Sequence, residues 1–119
     1  VYDRTGRANI GHALETAVLI ELERRRCEVT YVRTSEGYEV DFLARFPDGH
    51  EELIQVCAEA SEPATAEREI RALAEAKSTF PQATQRLLTL HRDARPTDPP
   101  SGIHIQPAYE WMLEPMESA

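Results

Sequence analysis

The sequence predicts an α/β domain, a mixed sheet flanked by helices in the order helix, three strands, helix, strand, followed by a short tail. Three observations carry that expectation. Apolar residues recur at helical spacing from Ile10, β-branched and aromatic runs separated by Gly-containing turns fill residues 27 to 60, and a helical pattern divides the last of these runs from a further strand-like one. A succession of strand, helix and strand closes by a right-handed crossover, which lays the fourth strand parallel to the third.

The first helix is expected from Ile10 to about Arg26, with Ile10, Ala13, Leu14, Ala17, Val18 and Leu22 on its apolar side and the charged run ERRR at its end. At about 100° per residue, Glu15 projects only about 20° from Leu22, so its carboxylate borders the buried stripe. CEVTYVRT, residues 27 to 34, reads as the first strand, and Ser35, Glu36 and Gly37 as a turn. YEVDFLARF is the second strand, Pro47, Asp48 and Gly49 form the next turn, and EELIQVCAEA is the third strand. Short connections make these three an antiparallel meander.

Pro63 suits the first turn of a second helix carrying Ala66, Ile70, Leu73, Ala74 and Phe80, which Pro81 stops. QRLLTLH, residues 85 to 91, is the fourth strand. The proline-rich residues 93 to 102 are a connector, GIHIQP adds an edge strand, and AYEWML forms a closing helical turn that buries Trp111 and Leu113.

Composition narrows the partners. A chain of 119 residues suffices for one compact domain spanning 1 to 119, and 41% apolar with 29% charged residues is ordinary for a globular protein. The net charge of −8 argues against a broad phosphate-gripping face. Arginines cluster only locally, at Arg24 to Arg26 and at Arg86, Arg92 and Arg95, and such runs are ordinarily solvated. Cys27, Cys57 and four scattered histidines show no zinc-ligand spacing. Two cysteines without a signal-peptide pattern suggest reduced thiols and a cytoplasmic setting. No apolar run approaches the roughly 20 residues of a membrane span. The opening VYDRTGRANIG suggests a fragment whose parent chain continues upstream.

The polar residues inside the strands are the chemical signal. By period-two alternation Glu39, Asp41, Leu43 and Arg45 share one side of the second strand, opposite Tyr38, Val40, Phe42 and Ala44, and Leu53, Gln55, Cys57 and Glu59 share one side of the third. Asp41 then neighbours Gln55 or Cys57 across the pair. A buried carboxylate is costly unless it is paired or bound to a cation. With Glu15 reaching the same spot from the first helix, the set is expected to converge on a common pocket at one side of the sheet. Glu15, Asp41 and Gln55 would offer oxygen ligands for magnesium or manganese. Each residue also has a plainer reading: Asp41 paired with an arginine or a backbone amide, Glu15 half-exposed, Cys57 a small core residue.

The element order, with a Glu on the first helix, an Asp in the second strand and a polar-x-polar pair in the third, resembles the PD-(D/E)xK nuclease-like, restriction-endonuclease-like core. GHALETAVLIEL, GYEVDFLA, LIQVC and TAEREIRALAEA resemble the DUF4143 domain, the C-terminal part of a group of prokaryotic AAA-type ATPases. The resemblance implies that Asp41 matches the metal-holding Asp and Glu15 the helix carboxylate of some branches. Gln55 stands where the core has Asp or Glu, and Cys57 where it has Lys. Metal-assisted phosphodiester hydrolysis needs a cation-held water and a lysine that stabilises charge, which a neutral thiol cannot replace.

Three functional readings follow. The first is a degenerate accessory domain serving an upstream ATPase of the same chain in recognition, assembly or regulation, without catalysis of its own. The second is a metal-dependent nuclease acting on DNA with a variant centre, drawing the missing cation from Arg33 or Arg45. The third is a toxin-like or scaffold domain whose exposed edge strand pairs with another chain; a homo-oligomer is a further expected form.

Overall fold

The computed structural model describes residues 4 to 115, with side chains from residue 9 onward; the polar opening at Val1 lies outside the described residues. Helix α1 spans Arg4–Arg24, followed by strands β1 (Glu28–Arg33), β2 (Glu39–Arg45) and β3 (Glu51–Val56). Helix α2 (Pro63–Thr79) leads to β4 (Thr84–Thr89), a short 3-10 turn at Arg92–Ala94, β5 (Ile103–Pro107) and helix α3 (Ala108–Leu113). The sheet order is β1-β2-β3-β4-β5. The first three strands are antiparallel, while β4 lies parallel to β3 and β5 parallel to β4, so the expected meander and the parallel placement of the fourth strand beside the third are both present. No helix among the described residues is long and apolar enough to cross a membrane.

Turn chemistry shapes the meander. Gly37 and Gly49 take positive φ at the two hairpins, and their amides close the turns onto the carbonyls of Thr34 and Phe46. At the end of α1 the left-handed position falls on Arg26, with φ 64. The amides of Arg26 and Cys27 close back on the carbonyls of Glu23 and Leu22, a cap that redirects the chain into β1.

Two apolar layers cover the sheet. On one face Leu14, Val18 and Leu22 of α1 and Trp111 of α3 pack on Ala44, Ile54, Val56 and Leu88. On the other, Ala72, Leu73 and Ala76 of α2 pack on Val40, Leu43, Leu53 and Leu87. The observed stripes are rotated from those expected. Ile10, Ala13 and Ala74 are exposed, and Ala72 and Ala76 occupy the buried arc of α2. Leu113, expected in the core with Trp111, is 81% exposed. Helix α1 also starts six residues before Ile10, because apolar spacing marks where a helix packs and not where its hydrogen bonding begins.

Two arginines assigned to solvated runs lie inside the fold. Arg86 on β4 bonds Glu52 on β3 at 2.9 Å and Gln106 on β5 at 2.6 Å, tying three strands together. Arg25 is 5% exposed and sits with its guanidinium 5.0 Å from the Trp111 ring centroid. Its Nη2 donates to the carbonyls of Trp111 at 3.1 Å and Glu114 at 2.9 Å, and its Nε donates to Glu21 at 2.7 Å. This one side chain caps α3 and fastens it to α1.

Replacing Arg25 by alanine removes its charge-assisted bonds to Glu21 and to the carbonyls of Trp111 and Glu114 and strips the guanidinium from the Trp111 ring, so a loss of about 2–4 kcal/mol is expected. Arg25→Lys should recover only part of that, because an ammonium lacks the planar fork. Urea midpoints at constant slope measure both. A loss below about 1 kcal/mol for the alanine variant would mean that α3 is held by Trp111 packing alone.

Candidate functional site

Strands β2 and β3 pair residue for residue from Arg45↔Glu51 to Phe42↔Ile54, and there the ladder ends. On the other side of β2 the register slips: Thr30 faces Leu43, but Val32 faces Val40. Two residues, Asp41 and Phe42, therefore stand against the single Tyr31, which is a β-bulge. The bulge breaks the expected alternation. Val40 and Leu43 pack on the same face toward α2, whereas Phe42 and Ala44 pack toward α1.

Beyond Phe42 and Ile54 the missing rungs are replaced by side chains. The Asp41 amide donates to Gln55 Oε1 at 2.9 Å, Gln55 Nε2 donates to the Glu39 carbonyl at 3.1 Å, and the Val56 amide donates to Asp41 Oδ2 at 2.8 Å. The orientation of the Gln55 amide is dictated by its partners, since a backbone N–H only donates and a carbonyl only accepts. Gln55 is 2% exposed, so these bonds satisfy groups shielded from water. Asp41 and Gln55 thus form a clasp across the fork between two strands, and the backbone-amide reading of Asp41 is the one observed.

The clasp separates two cavities. One, of about 480 Å³, lies on the α1 side between Glu15, Leu19 and Glu23 of the helix, Tyr31 of β1, and Asp41 and Phe42 of β2. The other, of about 370 Å³, lies on the α2 side and is lined by Tyr38, Asp41, Gln55, Arg68, Glu69 and Ala72. The single pocket expected for Glu15, Asp41, Gln55 and Cys57 is therefore divided: Glu15 meets Asp41 on one side, Gln55 meets it on the other, and Cys57 lines neither cavity.

Cys57 falls just past β3, its Sγ donating to the Glu59 carbonyl at 3.3 Å. Burial pushes its thiol up to about 11, with the Glu69 carboxylate acting in the same direction, so the sulfur is a neutral thiol at physiological pH. Arg33 and Arg45 do not reach the clasp. Arg45 is bonded to Glu51 at 2.6 Å at the far end of the hairpin, and Arg33 stands opposite Glu39 on the edge strand.

Glu69 and Arg68 on α2 are the residues that sequence reasoning passed over. Glu69 falls in the middle of the arc formed by Ala66, Ala72, Leu73 and Ala76, a signal present in the spacing, and its side chain is 17% exposed. Arg68 lies 3.6 Å from it. Burial raises the Glu69 carboxyl above its ordinary value, against the opposing effect of Arg68.

Asp41 feels all of this. Burial pushes its carboxyl up to about 7, opposed by the Val56 amide and reinforced by the negative charges of Glu15 and Glu69. Among the described residues no group of three or more His, Cys, Asp or Glu side chains is arranged to hold a metal ion. The donor chemistry agrees: Gln55 Oε1 and Asp41 Oδ2 already accept backbone amides, and Glu15 and Glu69 face different cavities. Of the oxygens expected to face magnesium or manganese, Gln55 Oε1 is turned to the Asp41 amide and Asp41 Oδ2 to the Val56 amide, while Glu15 lies beside Asp41.

A carboxyl with a raised folded-state pKa stabilises the fold most below its unfolded value near 3.8, and that contribution is lost as pH rises through about 7. Asp41→Asn keeps an oxygen for the Val56 amide and cannot ionise. It should melt higher than the parent at pH 8, by about 1–2 kcal/mol after allowance for water in the flanking cavities, and close to the parent at pH 5. Thermal melts at the two pH values test this, and an Asn variant less stable at pH 8 than at pH 5, relative to the parent, would refute it.

In comparisons with protein-family models, with curated proteins and with solved structures, no match to this chain is found.

Proposed function

We propose that this chain is a nuclease-like accessory domain of restriction-endonuclease-like architecture, whose central polar residues hold the sheet open at a fork instead of hydrolysing phosphodiesters. The carrying observation is the bonding of Gln55. Both atoms of its amide are committed to backbone groups of β2, and only an amide can serve both, because a carboxylate at this position would face the Glu39 carbonyl oxygen with a second oxygen. The Gln that departs from the nuclease pattern is the residue that the clasp requires. The neutral Cys57 thiol supports the same reading, since it supplies no charge where the pattern has Lys.

The domain's role is then recognition, assembly or regulation on behalf of an AAA-type ATPase of the same chain, a partner that rests on the resemblance of GHALETAVLIEL, GYEVDFLA and LIQVC to the DUF4143 domain. The acidic balance of the chain supports protein contacts over a broad nucleic-acid groove.

Gln55→Glu separates this reading from that of a variant metal-dependent nuclease. As part of a clasp, the substitution buries an unpaired charge and should cost about 2–4 kcal/mol, with no stabilisation by millimolar manganese and no cleavage of plasmid or single-stranded DNA. As a metal centre regaining its acidic ligand, it should bind manganese by calorimetry and rise in melting temperature with metal. Metal-dependent cleavage by the parent, abolished by Asp41→Ala, would overturn the proposal directly.

A further inference from the structure

At the hairpin between β2 and β3, away from the clasp, one histidine ring meets a carboxylate at each of its nitrogens. His50 Nδ1 lies 2.5 Å from Asp48 Oδ1 in the turn, and Nε2 lies 3.3 Å from Glu52 Oε2 on β3. The ring is stacked on Phe46, with centroids 4.2 Å apart and planes 12° from parallel, which fixes the plane in which both nitrogens point.

Neither partner has a hydrogen to give. Asp48 Oδ1 also accepts the His50 amide at 2.9 Å, and the amide and ring of His50 together hold the Asp48 carboxyl below its ordinary value. Glu52 is 7% exposed and is gripped by Arg86 of β4, Nε on Oε1 at 2.9 Å and Nη2 on Oε2 at 3.3 Å, the two-pronged hold of a guanidinium on a carboxylate. A carboxylate only accepts, so the two ring bonds need a hydrogen on each nitrogen, which is the imidazolium. A neutral imidazole has one hydrogen and serves only one of the two acids.

We propose that His50 is a proton-operated latch on the β2–β3 turn: with two ring hydrogens it ties Asp48 in the turn to Glu52 in the sheet, and with one it releases Glu52. Nδ1 keeps its hydrogen because its contact is the shorter, so Nε2 is the nitrogen that lets go. Histidine is the side chain that ordinarily changes charge between about pH 5 and 8. The groups around the ring do not blur that change. Arg86 stays charged behind Glu52, with its Nη1 on Gln106 of β5 at 2.6 Å. Cys27 stands beyond the two acids, its thiol pushed up to about 11 by burial, with Glu52 and Asp48 acting the same way and Arg25 against, so it stays neutral through the range. Released from His50, Glu52 remains on Arg86, and the sheet keeps its link to β4. The change is confined to the turn, which the Gly49 amide closes on the Phe46 carbonyl at 2.8 Å and the Phe46 amide on the His50 carbonyl at 2.9 Å. The turn is therefore fastened at low pH and loosened as pH rises.

Nitrogen-15 NMR and amide exchange of the intact chain test the latch, with the β1–β2 turn at Gly37, which holds no histidine, as the internal reference. At about pH 5 both His50 ring nitrogens should carry hydrogens. Between about pH 5 and 9 the Gly49 amide should gain roughly tenfold in exchange rate relative to the Gly37 amide, beyond the intrinsic effect of hydroxide on each. His50→Gln, whose amide does not titrate, should hold that ratio constant. A parent ratio that is the same at both pH values, a His50→Gln chain that keeps the parent's pH dependence, or a His50 ring with a single hydrogen at about pH 5 would each overturn the proposal.

Discussion

The structure turns on the separation of β2 from β3 after the Phe42↔Ile54 pair. A sheet that opens inside a folded domain leaves backbone amides and carbonyls without ladder partners, and in a shielded place each such group costs as much as a lost hydrogen bond. Asp41 and Gln55 resolve that cost with three side-chain bonds. The bulge opposite Tyr31 makes the solution possible, because the extra residue brings Asp41 to the fork instead of leaving it on a regular face.

The same clasp controls the electrostatics on both sides of the sheet. It sits between two cavities, so the Asp41 carboxyl is influenced by Glu15 from α1 and by Glu69 from α2 at once. Arg68 is the nearest compensating charge on the α2 side, 3.6 Å from Glu69 at a mostly exposed position. Burial of the carboxyl, reinforced by the negative charges of Glu15 and Glu69, explains its high proton affinity. What the geometry shows of this constellation is a set of bonds that joins the two strands across the fork.

Elsewhere the fold draws inward two arginines whose local runs read as solvated. Arg25 stitches α3 to α1 and Arg86 stitches β3, β4 and β5, each with partners that meet its planar donors. Helix α1 itself completes the core through Leu14, Val18 and Leu22.

Much of the architecture was written in local sequence. Gly37 and Gly49 placed the hairpins, Pro63 and Pro81 bracketed α2, and the helix between two strand-like runs implied the parallel pairing of β3 and β4, because turn chemistry and crossover handedness act over short distances. Glu15 at the border of its helix stripe was likewise readable from angular spacing alone. What period-two counting could not reveal was the bulge at Asp41 and Phe42, since a register slip is decided by the partner strand and not by the strand itself. That slip moved Asp41 between two cavities and replaced one shared pocket by a clasp. Glu69, Arg25 and Arg86 were hidden for the same reason: a charged residue shows its burial only when the chain brings its partners to it from elements far away in sequence. Local periodicity thus determined which elements form and in what order, while long-range pairing decided which polar groups meet and what they are able to do.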